Sequence, residues 1–162
     1  IITEVCEECD IDVANLNCPG QIVISGEKEK VNQSVKSLKE KGMRKVIPLR
    51  VAGAFHSRLM QSAADKFAET IADVKLNTPK IPVAQNFTGK FVTDVEEIRQ
   101  NLINQVAGSV RWEDCVKTIV GTGARQIIEF GPGNVLTGLI KRTDANVTTY
   151  NVNNFESIEN YE

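Results

Sequence analysis

Apolar and polar positions alternate in two different styles along this chain, and the style changes between residues 51 and 57. Residues 2–9 read as a short helix. Two β-rich runs, DVANLN and QIVISG, flank the turn-forming CPG at 18–20, and together they predict a hairpin. The stretch EKEKVNQSVKSLKEK places Val31, Val35 and Leu38 at helical spacing. Glu27 and Glu29 sit in its first turn, Lys39 and Lys41 in its last, and Gly42 follows as a stop. RKVIPLRV (44–51) reads as a strand. Helix, strand, strand, helix, strand is the order of a ferredoxin-like unit without its first strand. The open sheet edge this leaves points to a cut chain.

Beyond His56 the pattern becomes that of an α/β layer. Met60, Ala63, Ala64, Phe67 and Ile71 form one stripe on a helix over about 58–73, with Ser57 as its N-cap. KIPVAQNF offers a short strand, and helices follow at about 94–106 and 112–122. RQIIEF (125–130) is a strand, GPGN leads into the helix VLTGLIKR, and NVTTYNV supplies a last strand. The fold class is therefore α/β with a small α+β part. Residues 1–51 form the incomplete ferredoxin-like subdomain, and 52–162 the following α/β region.

Composition narrows the function classes. The chain has 162 residues, 41% hydrophobic and 25% charged, which suits an ordinary globular protein. A net charge of −2 leaves no basic excess for nucleic acid. The apolar runs are too short to span a membrane. Four cysteines (Cys6, Cys9, Cys18, Cys115) are too few for a disulfide scaffold and fit reduced thiols in the cytoplasm. CEEC has CxxC spacing, but it lies in a helix, its glutamates raise thiol pKa values, and no second pair completes a metal site. The sequons at Asn32, Asn86 and Asn146 carry no weight without a secretory route.

His56, in VAGAFHSRLM, is the single histidine. A lone histidine is more often a satisfied structural residue than a catalyst. This one ends a strand-like run and precedes a helix N-cap, where α/β proteins carry functional loops. The positive end of that helix disfavours imidazolium, and a neutral imidazole is what a general base needs. No serine lies in a GxSxG elbow, and Cys18 in NCPG is better explained as filling a turn. FGPGN (130–134) lacks the lysine of a P-loop and reads as a tight strand-to-helix turn, with anion binding the lesser option. Lys39, Lys41, Arg44, Lys45, Arg50 and Arg58 cluster near the junction of the two regions. They form either a solvated face or a dock for an acidic partner.

NLNCPGQIVISG, VAGAFHSRLM, VRWEDCV and IIEFGPGNVLTGLIKR, in this order and spacing, resemble the C-terminal half of the malonyl-CoA:acyl carrier protein transacylases. The acyltransferase domains of polyketide synthases share the pattern. The resemblance implies an α/β-hydrolase-like core interrupted by a ferredoxin-like subdomain. It also implies malonyl transfer from malonyl-CoA to the phosphopantetheine thiol of acyl carrier protein in fatty acid synthesis, with no cofactor. It places the base of a Ser–His dyad at His56 and the orienting main-chain carbonyl at Gln105. Ser109 replaces the proline that usually precedes VRW. Phe55 matches the position associated with malonyl over methylmalonyl preference, and Asn17 an asparagine near the acyl pocket. The nucleophilic serine, the carboxylate-gripping arginine and the oxyanion-hole residue belong to the other half, so the chain alone is expected to be inactive. The rival readings are a non-catalytic carrier-protein-binding module and a piece of a polyketide-synthase acyltransferase.

Overall fold

The computed structural model describes residues 1–159. The chain opens with α1 (Ile2–Glu8), then the strands β1 (Asp12–Cys18) and β2 (Gln21–Ser25), which pair antiparallel with Asp12 opposite Ser25 and Cys18 opposite Gln21. The connecting turn needs Gly20, whose φ of 76° lies in the left-handed region that side chains disfavour. Helix α2 (Lys28–Glu40) follows and stops where Gly42 takes a φ of 90°. Its inner face carries Leu38 onto Val5, Cys6, Cys9 and Ile11, with Val31, Met43 and Val46 at the margin. This first core joins α1, β1 and α2.

Residues 44–51 form no strand, contrary to the alternation of RKVIPLRV. Only Val46 reaches the first core, while Ile47 is 63% exposed, Leu49 60% and Val51 65%. Propensity specifies an extended segment, but a strand exists only by pairing, and none of the described strands lies alongside this one. The expected order helix, strand, strand, helix, strand thus stops at helix–hairpin–helix, and the described residues form a mixed α/β fold with three two-stranded sheets.

The second region begins with a 3-10 turn (Arg58–Met60) running into α3 (Gln61–Ala72), so the long helix expected over 58–73 is 3-10 in its first turn. Strands β3 (Val83–Gln85) and β4 (Lys90–Val92) make a short hairpin, of which KIPVAQNF predicts only the first arm. Helix α4 (Val95–Ala107) is capped by Asp94, whose carboxylate accepts the Glu97 N–H at 2.8 Å. Then come α5 (Trp112–Gly121), β5 (Gln126–Phe130), α6 (Val135–Thr143), β6 (Thr148–Val152) and a short α7 (Phe155–Glu159). Strands β5 and β6 run parallel, Gln126 opposite Thr148 and Phe130 opposite Val152, with α6 as the crossover. Val116, Ile140 and Val147 close a second core with Trp112, Val120 and Ile127.

The two regions meet at β1. Its Leu16 N–H donates to the Val110 carbonyl and the Val110 N–H to the Ala14 carbonyl, both at 2.8 Å. Thus the residues between α4 and α5 add a parallel bridge to the hairpin. The fold thereby brings the C-terminal end of α4 to the foot of the turn that precedes α3.

Candidate active site

Four residues, Ala54 to Ser57, build the turn that presents His56. The Ser57 hydroxyl donates to the Ala54 carbonyl at 2.6 Å and accepts the Leu59 N–H at 3.3 Å, and the side chain is fully buried. It closes the turn behind it and caps the 3-10 turn ahead of it. His56, between them, adopts a φ of 56°. For a residue with a Cβ this left-handed backbone is strained by about 1–2 kcal/mol. Its surroundings hold it there.

The ring is held from the opposite wall. His56 Nδ1 lies 2.9 Å from the main-chain carbonyl oxygen of Gln105, in the last turn of α4. A carbonyl only accepts, so Nδ1 carries the proton and Nε2 keeps its lone pair. The Gln105 amide nitrogen, 3.4 Å from Nδ1, then faces a second donor and does not bond it; it donates instead to the Gly108 carbonyl at 2.8 Å. The Gln105 carbonyl is one of the helix-end acceptors that no helical N–H satisfies, and it sits at the negative pole of a 13-residue helix. The arrangement therefore leaves Nε2 open to take up a proton while Nδ1–H stays bonded to the Gln105 carbonyl.

The turn is also fixed from the hairpin side. Asp12, at the start of β1, accepts the Arg58 N–H at 2.9 Å and the Arg58 Nε at 3.1 Å. Asp10 bridges Arg58 and Lys30, the latter at 2.7 Å, and Glu27 joins at 2.9 Å from Lys30. The hydrogen bond from Lys30, aided by the Arg58 charge, holds the Asp10 carboxyl below its ordinary value. Nothing in the sequence marked Asp12 for this role, since it stands 46 residues from Arg58. Of the six basic residues near the junction, Arg58 is thus paired with Asp10 and Asp12, and Lys41 with Glu8 at 2.8 Å. The expected cationic face is diminished by these pairs.

Ser109, in place of the usual proline, donates its hydroxyl to the Val13 carbonyl of β1. The replacement adds a tie that proline lacks. Phe55 is 51% exposed, its ring folded back so that a Cβ on Gly53 would lie 3.7 Å from Cζ. Asn17 is half-buried near the end of β1, the strand that bridges to Val110. The structure thus brings His56 and Gln105 into direct contact, a hydrogen bond in which neither Phe55 nor Asn17 takes part. Among the described residues no serine hydroxyl hydrogen-bonds His56.

The remaining candidates fall away on structural grounds. Cys6, Cys9, Cys18 and Cys115 are free and buried. Burial, more than the neighbouring Asp12, Cys9 and Glu7, pushes the Cys6 thiol up to about 11; burial and then Asp114 do the same for Cys115. Neither is a thiolate at neutral pH. Among the described residues no cluster of ligating side chains could hold a metal ion. At FGPGN, Gly131 and Gly133 take φ of 126° and 83°, and the N-terminus of α6 is already occupied by the chain's own Glu129. Its carboxylate accepts the Leu136 N–H at 3.1 Å and the Thr137 N–H at 2.8 Å. Burial pushes that carboxyl up, but the hydrogen bonds from Thr137, Leu136 and Asn151 outweigh it and hold it below its ordinary value. Glu129 thus takes two of the N–H groups that a foreign anion would use there. Among the described residues no helix is long and apolar enough to cross a membrane.

The profile of the acyl transferase domain family matches residues 3–158. The malonyl CoA-acyl carrier protein transacylase of Bacillus subtilis (strain 168) is 39% identical over 149 residues, 92% of this chain and 47% of its own length. The crystal structure of the Streptococcus pneumoniae MCAT superposes with a TM-score of 0.95 at 34% identity, over 99% of this chain and 53% of that one. A type II PKS acyl-carrier protein in complex with its malonyl-transacylase gives 0.93 at 36% identity, over 98% of this chain and 52% of the other. The chain spans about half the length of the curated relatives it matches.

Proposed function

The chain belongs to the acyl transferase domain family, and from that premise we propose that it supplies the general base of a malonyl-CoA:acyl carrier protein transacylase. The observation that carries this reading is the 2.9 Å bond from His56 Nδ1 to the Gln105 carbonyl. It fixes the tautomer that leaves Nε2 free to accept a proton. In the complete enzyme Nε2 takes the proton of a serine hydroxyl as the serine oxygen attacks the thioester carbonyl of malonyl-CoA. The imidazolium then protonates the departing CoA thiolate. A second cycle deprotonates the phosphopantetheine thiol of acyl carrier protein, which attacks the malonyl-serine ester and restores the serine. The kinetics are ping-pong.

The nucleophilic serine lies outside these 162 residues in this reading, as do the arginine for the malonyl carboxylate and the oxyanion hole. Residues 1–51 belong to a small ferredoxin-like subdomain whose sheet another strand completes, and 52–162 to an α/β-hydrolase-like core. Phe55 narrows the acyl pocket against an α-methyl branch, and Asn17 lines it. The likeness to a transacylase in complex with its carrier protein supports an acyl carrier protein as acceptor. A purely carrier-binding module is less well supported, because Lys41 and Arg58 are already paired within the chain.

The test joins this chain to the rest of its reading frame and follows radiolabelled malonyl from CoA to carrier protein. His56→Ala is expected to lower kcat at least about a thousandfold, in the range seen when a base in such a dyad is removed. The 162-residue chain alone is expected to transfer no malonyl. Undiminished transfer by the His56→Ala enzyme, or transfer by the chain alone, sinks the reading.

A further inference from the structure

The tip of the β3–β4 hairpin grips the α4–α5 segment with three successive residues. The Gln85 carboxamide accepts from buried Asn101 Nδ2 at 2.7 Å, on α4. The Asn86 carbonyl accepts the Arg111 N–H at 2.7 Å, just before α5. Between these two ties, the Phe87 ring packs on Gly108, the residue that ends α4. Gly108 leaves no room for a side chain: a Cβ there would lie 2.6 Å from Phe87 Cε2 and 2.8 Å from the Asn104 carbonyl oxygen. From the opposite side, β1 holds Ser109 and Val110. The connection is therefore clamped between two hairpins.

What the clamp holds is the anchor of the histidine. The Gly108 carbonyl receives the Gln105 side-chain amide at 2.8 Å, and the Gln105 main-chain carbonyl receives His56 Nδ1–H at 2.9 Å. Any displacement of Gly108 moves Gln105, and with it the one acceptor that selects the His56 tautomer. We propose that Phe87 and Gly108 are positioning residues that set the His56 tautomer through Gln105. Phe87 stands 31 residues from His56 in sequence and is linked to it through this chain of contacts. The catalytic consequence rests on His56 being the base; the positioning itself does not.

The single histidine makes the test direct, because one set of imidazole resonances reports one residue. Long-range 1H–15N spectra of the 15N-labelled chain, recorded where the ring is neutral, give the ratio of Nδ1–H to Nε2–H forms. The native chain is expected to favour Nδ1–H. Phe87→Ala and Gly108→Ala are expected to shift the ratio about tenfold toward Nε2–H, the scale of losing one hydrogen bond to the ring. Phe87→Leu keeps an apolar body on Gly108 and is expected to stay within about twofold of native. Circular dichroism checks that each variant is folded; should Gly108→Ala unfold, Phe87→Ala decides alone. A native tautomer ratio in folded Phe87→Ala overturns the proposal. A shifted ratio with undiminished malonyl transfer in the joined enzyme would leave the positioning standing and overturn the role of His56 as base.

Discussion

The turn at 54–57 and the segment at 44–51 that leads into it have similar apolar content and opposite fates. The turn is tied at every residue that matters. Ser57 closes it, Asp12 holds its exit through Arg58, and Gln105 holds the imidazole it presents. Between Val46 and Val51 the preceding segment has its alternate apolar side chains in solvent. The difference teaches that a strained backbone such as that of His56 persists only where surrounding contacts over-determine it. An unstrained but unpaired run has nothing comparable to lose. Perturbing both regions in the same way should therefore give very different responses.

The largest response is expected where the two hairpins meet. Val110→Pro removes the N–H that bonds the Ala14 carbonyl at 2.8 Å and places a ring against β1. A loss of about 3 kcal/mol or more is expected, read as a drop in the urea midpoint. A loss under about 1 kcal/mol would mean that the bridge between β1 and the α4–α5 connection does not anchor the turn.

Ser57→Ala comes next. It removes a hydroxyl that makes two bonds in a fully buried position, leaving the Ala54 carbonyl and the Leu59 N–H without their partner. About 1–2 kcal/mol is expected from denaturant unfolding. The same variant should release the His56 backbone from its left-handed conformation, giving faster exchange of the Leu59 amide. Unchanged stability together with unchanged exchange would show the turn to be held by something else.

Glu129→Gln tests a tie of another kind, a carboxylate at the N-terminus of α6. Its folded pKa lies below its ordinary value, so its contribution to stability is fully present above the unfolded carboxylate range and is lost as pH falls through the folded value. The variant is expected to be destabilised by about 0.5–1 kcal/mol at pH 7. The gap to the native chain should close as pH falls through the lowered folded value of the Glu129 carboxyl. A gap that persists at low pH would point to packing rather than charge.

How much of this was legible beforehand follows the range of the forces involved. The helices were, because amphipathic spacing and end residues are local: Leu38 with Val31 on α2, and Ala64 with Ile71 on α3, lie where their periods put them. The CPG hairpin was, because turn chemistry is local too. The strand expected at 44–51 was not, because pairing is decided by a neighbour and not by RKVIPLRV itself. Strand β4 and helix α7 are too short to carry a period. His56 stood out by its uniqueness and its junction, but its 2.9 Å contact with a residue 49 positions away was reachable only through resemblance to a family. Asp12, Phe87 and Gly108 gave no signal at all, since their roles exist only after the two hairpins close on the α4–α5 connection.

The smallest effect is the sharpest contrast with the turn. Leu49→Thr changes an apolar side chain that is already 60% in water, in a segment with no ladder to disrupt. In the 162-residue chain a change within about 0.5 kcal/mol is expected in the urea midpoint, against the larger losses at Ser57 and Val110. The same substitution made in the joined enzyme provides the decisive comparison. If the proposed subdomain recruits another strand onto 44–51, Leu49 becomes a sheet residue there, and the cost of Leu49→Thr should rise by about 1 kcal/mol or more. Equal effects in the two contexts would show that this run stays unpaired even in the longer chain. The incomplete sheet would then be a property of the fold itself.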